Sequence, residues 1–238
     1  MNYTKLLEGV KYYNEHYPHW DSGYRKLRKR GDAYWLHLER LNERQIKSEA
    51  IGFLNSWLCR VDYASATSLK GILYKLPPLY AVLKKESIEC FEFNKQIVIK
   101  SATKSSSKII EEIMNNFLSV KPKFGSVPAS KLMHMAIPEL FVMWDTGIKS
   151  KYHLSPYSVA GHARQYVKFL KLMQIQIRHA INSYVKDKNV DTQTAIRHIR
   201  MKDNYSTLAR MVDKYNFALR DGKVSLCMEC YKNWQRLR

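Results

Sequence analysis

The sequence predicts an all-α protein in which many helices pack in two layers, with at most one short β-hairpin. Apolar residues recur at helical spacing along most of the 238 residues. Only nine glycines and seven prolines are present, too few for an all-β protein that needs many tight turns. Hydrophobic residues make up 45% of the chain and charged residues 26%, as in ordinary globular proteins, so a buried core is expected.

The individual elements follow from apolar stripes and chain breakers. Two short helices are expected to meet at Pro77 and Pro78, because a proline pair cannot lie inside one continuous helix. Residues 91–100 are the only plausible strand, and the longest helix is predicted to begin at Ser158. The apolar stripes of the main predicted helices are Leu6, Leu7, Val10 and Tyr13; Tyr34, Trp35, Leu38 and Leu41; Ile46, Ala50, Phe53, Leu54, Trp57 and Leu58; Ile109, Ile110, Ile113, Phe117 and Leu118; and Val159, Ala163, Val167, Leu170, Met173, Ile177 and Ile181.

Positive charge is the abnormal property of this chain. Lysine and arginine total 40 against 21 aspartates and glutamates, which gives a net charge of +19. Self-repulsion of this size favours an anionic partner that neutralises it. The predicted partner is the phosphate backbone of a nucleic acid, DNA rather than RNA, and the alternatives are an anionic membrane surface or a charge that serves general solubility.

Hydropathy argues against a membrane partner. No stretch approaches the roughly 20 apolar residues that span a bilayer, and the first residues lack the apolar region of a signal peptide. We therefore expect a soluble protein of the cytoplasm, the nucleoid or the nucleus. Nothing in the sequence indicates an obligatory protein partner.

Cysteine spacing gives no complete metal site. Cys227 and Cys230 form a C-x-x-C motif, which is half of a zinc or iron–sulfur site. Cys59 and Cys90 carry no recognisable ligand spacing. We therefore predict no metal and no cofactor, and the C-x-x-C cysteines are either buried thiols or a disulfide.

Residues 124–149 hold the pattern that suggests a function. A turn at Gly125 leads into a helix predicted to begin near Ala129, Ser130 and Lys131. Helix N-termini present unpaired N–H groups and a positive dipole end, and this arrangement can bind a phosphate. An apolar stretch that includes Pro138 then leads to Trp144 and to Asp145, where another helical segment starts.

This segment resembles the helix-hairpin-helix DNA glycosylases, the superfamily of endonuclease III and the 8-oxoguanine glycosylases. In that family a Gly-rich hairpin precedes a lysine at the start of a helix, and a Pro-containing apolar stretch then leads to an aspartate that opens the next helix. Lys131 matches the Schiff-base lysine, and Asp145 in Trp-Asp-Thr-Gly-Ile matches the aspartate. The resemblance covers residues 30–155 loosely, and Gly31-Asp32-Ala33-Tyr34-Trp35 adds a short match to the archaeal 8-oxoguanine branch. The turn has one glycine fewer than in the family, Lys131 and Asp145 are closer together, and the four-cysteine cluster motif is absent.

The resemblance implies a helical domain over residues 1–155, with residues 156–238 left as a C-terminal helical region packed on it. It also implies removal of a damaged or mispaired DNA base, with or without cleavage of the strand. Asp145 would stabilise the positive charge that develops on the sugar or activate the attacking nucleophile. Lys131 would attack C1′ or anchor a phosphate.

Base removal requires a flipped base held in a pocket. The predicted pocket residues are aromatic or can hydrogen-bond a base edge: Trp144, His134, Trp57, Trp35 and Phe53. The predicted nucleic-acid contacts are Gly125, Ser130, Lys149, Lys151, Arg60, Arg28 and Lys29.

Structural interpretations of the same residues stay open. Asp145 is also a typical helix N-cap, Lys131 an ordinary surface or phosphate-contacting lysine, and His134 a buried structural histidine. Trp35, Trp57 and Phe53 lie at helical spacing with other apolar residues, as in a core. The basic run of residues 25–30 can be a solvated face. The alternative functions are therefore a non-catalytic DNA- or RNA-binding module, or a protein whose basic faces bind acidic proteins.

Overall fold

The computed structural model describes residues 1–154 and 159–236, and their regular secondary structure is helical apart from one β-hairpin. The prediction of an all-α fold with at most one short hairpin is confirmed. Ser158, predicted to begin the longest helix, lies outside the described residues. The helices are α1 (Tyr3–His16), α2 (Pro18–Arg28), α3 (Asp32–Leu36), α4 (Glu43–Gln45), α5 (Gly52–Ser56), α6 (Ala66–Leu73), α7 (Pro77–Ala81), α8 (Ser106–Leu118), α9 (Ser126–Ala136), α10 (Thr146–Lys151), α11 (Val159–Lys188), α12 (Thr192–Met201), α13 (Leu208–Arg220) and α14 (Met228–Arg236).

Short irregular turns connect some of these helices. A π-helical turn (Ile46–Ile51) joins α4 to α5, so the amphipathic helix predicted around residues 46–58 is continuous but contains one wider turn. The proline pair starts α7, where a missing backbone N–H costs nothing. Two 3₁₀ turns (Leu38–Arg40 and Tyr63–Ser65) complete the first half of the chain.

The hairpin is smaller than the strand that the sequence predicts. Strand β1 (Gln96–Ile99) pairs antiparallel with β2 (Ala102–Ser105), with Gln96 opposite Ser105. The first residues of the predicted strand instead form a turn that buries Phe91 and Phe93 against each other, with ring centroids 4.8 Å apart.

Helices from both ends of the chain share one core. Helix α1 packs along α13 and also contacts α11, and α11 packs against α8, α12 and α14. The buried apolar residues form one continuous cluster that includes members of residues 1–155 and of residues 156–238. The two predicted regions therefore pack together around the same core.

Among the described residues, no helix combines the length and the apolar composition needed to cross a membrane.

A buried network of charges fixes α13 against α2 and against the turn that follows α12. The ammonium group of Lys214 lies 2.9 Å from a carboxylate oxygen of Asp21 and 2.8 Å from one of Asp203. The guanidinium group of Arg210 pairs with Asp213 and lies 3.4 Å from Asp21. All five side chains are at least nine-tenths buried. Each charge is tolerated because it has a partner, and removal of one partner would leave an uncompensated buried charge.

Candidate functional site

A pocket of about 340 Å³ lies where α2, α9, α10 and α13 meet, and both Lys131 and Asp145 line it. We call it the Lys131–Asp145 pocket. Its volume falls within the range of about 300–1,000 Å³ that is usual for small-molecule sites. The remaining lining residues are Trp20, Trp57, Leu58, Val127, Thr146, Gly147, Phe217 and Arg220.

Lys131 reaches the pocket from the second turn of α9. The helix begins at Ser126, three residues before the predicted start at Ala129, since Gly125 is extended and Pro128 fits the first turn of a helix. The lysine is only 7% exposed. It is therefore a buried cation at a pocket wall rather than an ordinary surface lysine.

The ammonium group of Lys131 is held by the end of α5. It donates a hydrogen bond of 2.9 Å to the carbonyl oxygen of Trp57 and lies 5.2 Å from the centroid of the Trp57 ring. Carbonyl groups at a helix C-terminus lack intrahelical partners and carry partial negative charge, so they attract a cation. The chain then turns sharply through Leu58 and Arg60, whose φ angles are +60° and +52°. This turn places Leu58, 71% exposed, at the rim of the pocket.

Asp145 has two partners in the folded protein. One carboxylate oxygen accepts a hydrogen bond of 2.7 Å from the backbone N–H of Ile148, which makes Asp145 the N-cap of α10. The other oxygen accepts a hydrogen bond of 2.9 Å from the guanidinium group of Arg220. The N-cap interpretation of the sequence is therefore correct, and the same side chain also faces the pocket.

Arg220 is a pocket residue that the sequence did not indicate. Its guanidinium group lies 4.4 Å from the centroid of the Phe217 ring and donates to Asp221 and to the hydroxyl group of Tyr17, at 2.9 and 3.3 Å. Burial opposes the charge, but hydrogen bonds to Asp221 and Asp145 raise the pKa of Arg220 above its usual value. Arg220 is thus a permanent cation next to Asp145.

Aromatic side chains from three helices form the apolar part of the pocket. Trp20 of α2 stacks on Tyr17, with ring centroids 5.0 Å apart and ring planes 6° from parallel, and it lies 6.0 Å from Phe217. Trp57 contributes from the end of α5. The sequence predicted Trp57 but missed Trp20 and Phe217, because no local pattern connects their helices to residues 124–149.

The buried charge network extends to the pocket through Trp57. The guanidinium carbon of Arg210 lies 5.7 Å from the centroid of the Trp57 ring. Burial raises the pKa of Asp213 to about 6, against the lowering influence of Arg210 and Lys131, while the charge of Asp145 adds to the increase. The ionisation of Asp213 is thus coupled electrostatically to both predicted catalytic residues.

Two predicted base-pocket tryptophans lie in the core. Trp144 and Trp35 are each only 1% exposed and do not line the pocket. The indole N–H of Trp144 donates to the carbonyl oxygen of Ser126 at 3.0 Å, and that of Trp35 donates to Leu27 at 3.2 Å. A hydrogen bond to a backbone carbonyl group therefore fixes each ring. The hydrogen bond of Trp144 holds its ring against the first residue of α9.

His134 and Phe53 are also core residues that do not reach the pocket. The Nδ1 atom of His134 lies 2.5 Å from the carbonyl oxygen of Phe141, and its Nε2 atom lies 3.0 Å from the hydroxyl group of Tyr24. Burial lowers the pKa of His134 to about 3, so the ring is neutral at physiological pH. Phe53 is buried and packs edge-on against Trp57. The structural interpretation of both residues is correct.

The predicted nucleic-acid contacts divide into buried and accessible groups. Ser130 is fully buried and donates to the carbonyl oxygen of Val127 at 2.8 Å. Lys149 is 9% exposed, and its ammonium group lies 5.4 Å from the centroid of the Trp144 ring; burial lowers its pKa. Neither side chain is free to contact a phosphate on the surface. Lys151, Arg60 and Lys29 are exposed and Arg28 and Gly125 are partly exposed.

Arg28 and Lys29 lie away from the Lys131–Asp145 pocket. They line a separate groove of about 630 Å³ at the other end of α2. Trp20 and Arg28 are about 12 Å apart along the axis of α2, at a rise of about 1.5 Å per residue. Other basic side chains of this groove are Arg25, Lys84 and Lys85.

Comparison with known proteins gives no match: no protein-family model, curated protein or solved structure is significantly similar to the chain. The resemblance to the helix-hairpin-helix glycosylases therefore rests on the residues of this sequence and stays a prediction.

Proposed function

We propose that the protein is a DNA N-glycosylase that removes a damaged or mispaired base, with strand cleavage through Lys131 as a second activity. One observation carries the proposal. Lys131 and Asp145, which match the lysine and the aspartate of the family pattern, line the same pocket beside stacked aromatic rings. The net charge of +19 supports an anionic polymer as the partner.

The pocket supplies the groups that base excision requires. Trp20, Trp57 and Phe217 line the pocket, and a flipped base would stack between aromatic side chains of this kind. The carboxylate of Asp145 would stabilise the positive charge that develops on the sugar as the glycosidic bond breaks. In this role the hydrogen bond from Arg220 holds the Asp145 carboxylate in position.

The strand-cleaving route uses Lys131. Its amine loses a proton and attacks C1′ as the base departs. The C1′–O4′ bond then opens, O4′ takes up a proton, and a Schiff base forms between the lysine and C1′. The hydrogen bond to the Trp57 carbonyl holds the nitrogen at the pocket wall before the attack. Loss of a proton from C2′ and departure of the 3′ phosphate then break the strand, and hydrolysis of the imine releases the lysine.

A non-catalytic nucleic-acid-binding module is the second candidate. The observation that favours it is that both charged groups already have protein partners, Lys131 at the end of α5 and Asp145 at Ile148 and Arg220. In that case the pair stabilises the fold, and phosphates bind only to exposed basic side chains such as Lys151 and Arg60.

Oligonucleotides that carry uracil, 8-oxoguanine, hypoxanthine or an abasic site separate the two candidates. For an enzyme, we expect strand scission after alkali with at least one modified base, and a loss of about 100-fold or more in Asp145→Asn. Asparagine is as good an N-cap as aspartate, so this variant keeps α10. Asp62→Asn, which changes the exposed cap of a 3₁₀ turn, is the matched control and should cleave normally.

Absence of cleavage on every substrate would leave the binding module, provided that the affinity for DNA still falls steeply with salt concentration. A weak dependence on salt would contradict both candidates.

A further inference from the structure

Cys227 and Cys230 form a pair of thiols in direct contact at the start of α14. Cys227 immediately precedes the helix and Cys230 lies in its first turn. Their sulfur atoms are 2.7 Å apart, and the backbone N–H of Cys230 also donates to the Cys227 sulfur at 3.4 Å. Two cysteines in C-x-x-C spacing at a helix N-terminus are the arrangement of thiol–disulfide exchange proteins.

The two thiols differ in exposure. Cys230 is fully buried, whereas Cys227 is partly exposed. One sulfur is thus open to an external reactant and the other is shielded behind it. This division is what an exchange reaction needs, because the first sulfur attacks and the second resolves the intermediate.

The surroundings favour a thiolate at Cys227. The hydrogen bond from Cys230, reinforced by the α-amino group of Met1, lowers the pKa of Cys227 to about 5 against the effect of burial. The same hydrogen bond and burial raise the pKa of Cys230. The α-amino group of Met1 contacts both sulfurs and lies 2.8 Å from that of Cys230.

Other ionisable groups face the pair from the neighbouring helices. His179 of α11 lies 3.0 Å from the carbonyl oxygen of Met1 and 3.0 Å from the carboxylate of Glu229. Tyr152 and Tyr215 lie close enough that the cysteine charges raise their pKa values, in addition to burial. Within residues 1–154 and 159–236, no third histidine, cysteine, aspartate or glutamate completes a metal site.

We propose that Cys227 and Cys230 form a reversible dithiol–disulfide pair that exchanges with low-molecular-weight disulfides such as glutathione disulfide. The Cys227 thiolate attacks one sulfur of the disulfide and releases the first thiol. Cys230 then loses its proton, attacks the Cys227 sulfur of the mixed disulfide and releases the second thiol. Two electrons pass from the protein to the small disulfide, and the protein gains one S–S bond.

Mass spectrometry of the full chain tests this proposal directly. The protein is equilibrated in buffers with different ratios of reduced to oxidised glutathione, quenched with acid, alkylated and digested. We expect one disulfide between Cys227 and Cys230 that forms and disappears with the ratio, while Cys59 and Cys90 stay reduced. If both cysteines remain alkylated at every ratio, or if the disulfide involves Cys59 or Cys90, the proposal is wrong.

Two variants test the order of the steps. In Cys230→Ser, glutathione should accumulate on Cys227, since the resolving sulfur is gone; in Cys227→Ser, Cys230 should not be modified. Accumulation on Cys230 instead would contradict the assignment. The exposed Cys90 is the matched control thiol.

The rate of alkylation gives a readout that needs no variant. For Cys227 this rate should be nearly constant between pH 6 and 8, whereas for free glutathione, whose thiol is mostly protonated in this range, it should rise about tenfold per pH unit. Parallel pH profiles for Cys227 and for glutathione would show that Cys227 is not a thiolate.

Discussion

Replacement of Gly9 by alanine perturbs the contact that holds α13 beside the Lys131–Asp145 pocket. A Cβ atom at Gly9 would lie 2.8 Å from the Cδ2 atom of Tyr215 and 2.9 Å from its Cα atom. The Tyr215 ring cannot rotate away freely, because its hydroxyl group donates to the carbonyl oxygen of Ser225 at 2.7 Å. The backbone of α13 must therefore move away from α1.

Two opposing contributions set the magnitude of this effect. Overpacking of a close contact costs typically about 1–3 kcal/mol. Alanine recovers up to about 1 kcal/mol, since it favours a helix more than glycine does. We therefore expect the free energy of unfolding to fall by about 1–2 kcal/mol in Gly9→Ala.

Gly23 of α2 is the matched control, because no atom lies within 4 Å of a Cβ built there. Gly23→Ala should stabilise the protein by about 0.5–1 kcal/mol through helix propensity alone. Urea unfolding measures both variants by the change in midpoint at constant slope. If Gly9→Ala is stabilised as much as Gly23→Ala, the close approach of α1 and α13 is refuted.

Three further predictions concern the buried charges and the pocket. Lys214→Met should lower the free energy of unfolding by about 3–5 kcal/mol, because it leaves the buried carboxylate of Asp203 without its paired cation and removes one of the cations that pair with Asp21. Lys11→Met, which removes an exposed ion pair, should change the free energy of unfolding by less than about 0.5 kcal/mol in the same urea assay. Because burial raises the pKa of Asp213 to about 6, the folded state binds a proton that the unfolded chain releases above about pH 4. The wild type should therefore gain stability relative to Asp213→Asn as pH falls from 7 to 4, by up to about 3 kcal/mol. Equal dependence of the unfolding free energy on pH in the two proteins would refute the raised pKa of Asp213. Trp20→Ala should weaken the binding of DNA with an abasic site or a modified base by about 5–100-fold, measured by fluorescence anisotropy. Tyr63→Ala, which changes an exposed ring outside the pocket, should bind this DNA as the wild type does. An equal loss of affinity in both variants would argue against stacking on Trp20.

Local signals in the sequence were sufficient for the helical class and for one part of the site. Helical spacing of apolar residues predicts α1, α8 and α11, and the proline pair marks the break before α7. Asp145 as an N-cap follows from its position before Thr-Gly-Ile. These features depend on interactions within a few residues of the chain, so they can be predicted without knowledge of the tertiary structure.

Burial of the polar residues could not be predicted in the same way. Helix α9 is covered on nearly all sides, so Ser130, Lys131 and His134 are buried although their helix contains polar residues. The packing of neighbouring helices determines whether these side chains are buried, and local periodicity does not indicate that packing. The same reason explains why Trp144, expected in the pocket, lies behind it in the core.

The partners of Asp145 and of the pocket come from distant parts of the chain. Arg220 and Phe217 lie on α13 and Trp20 on α2, and only the packing of these helices brings them to α9 and α10. Each is an ordinary residue of an amphipathic helix when the sequence is considered alone. A single sequence contains no local signal for such long-range contacts.

Covalent trapping on DNA with an abasic site tests the catalytic role of Lys131 most directly. Borohydride reduces a Schiff base to a stable amine, and mass spectrometry of the digested complex then identifies the lysine that carries the sugar. We expect the cross-link on Lys131, its loss in Lys131→Gln, and its retention in Lys151→Gln, which removes an exposed lysine at the end of α10. A cross-link on another lysine, or no cross-link from protein that binds this DNA, would contradict the role of Lys131 as the nucleophile.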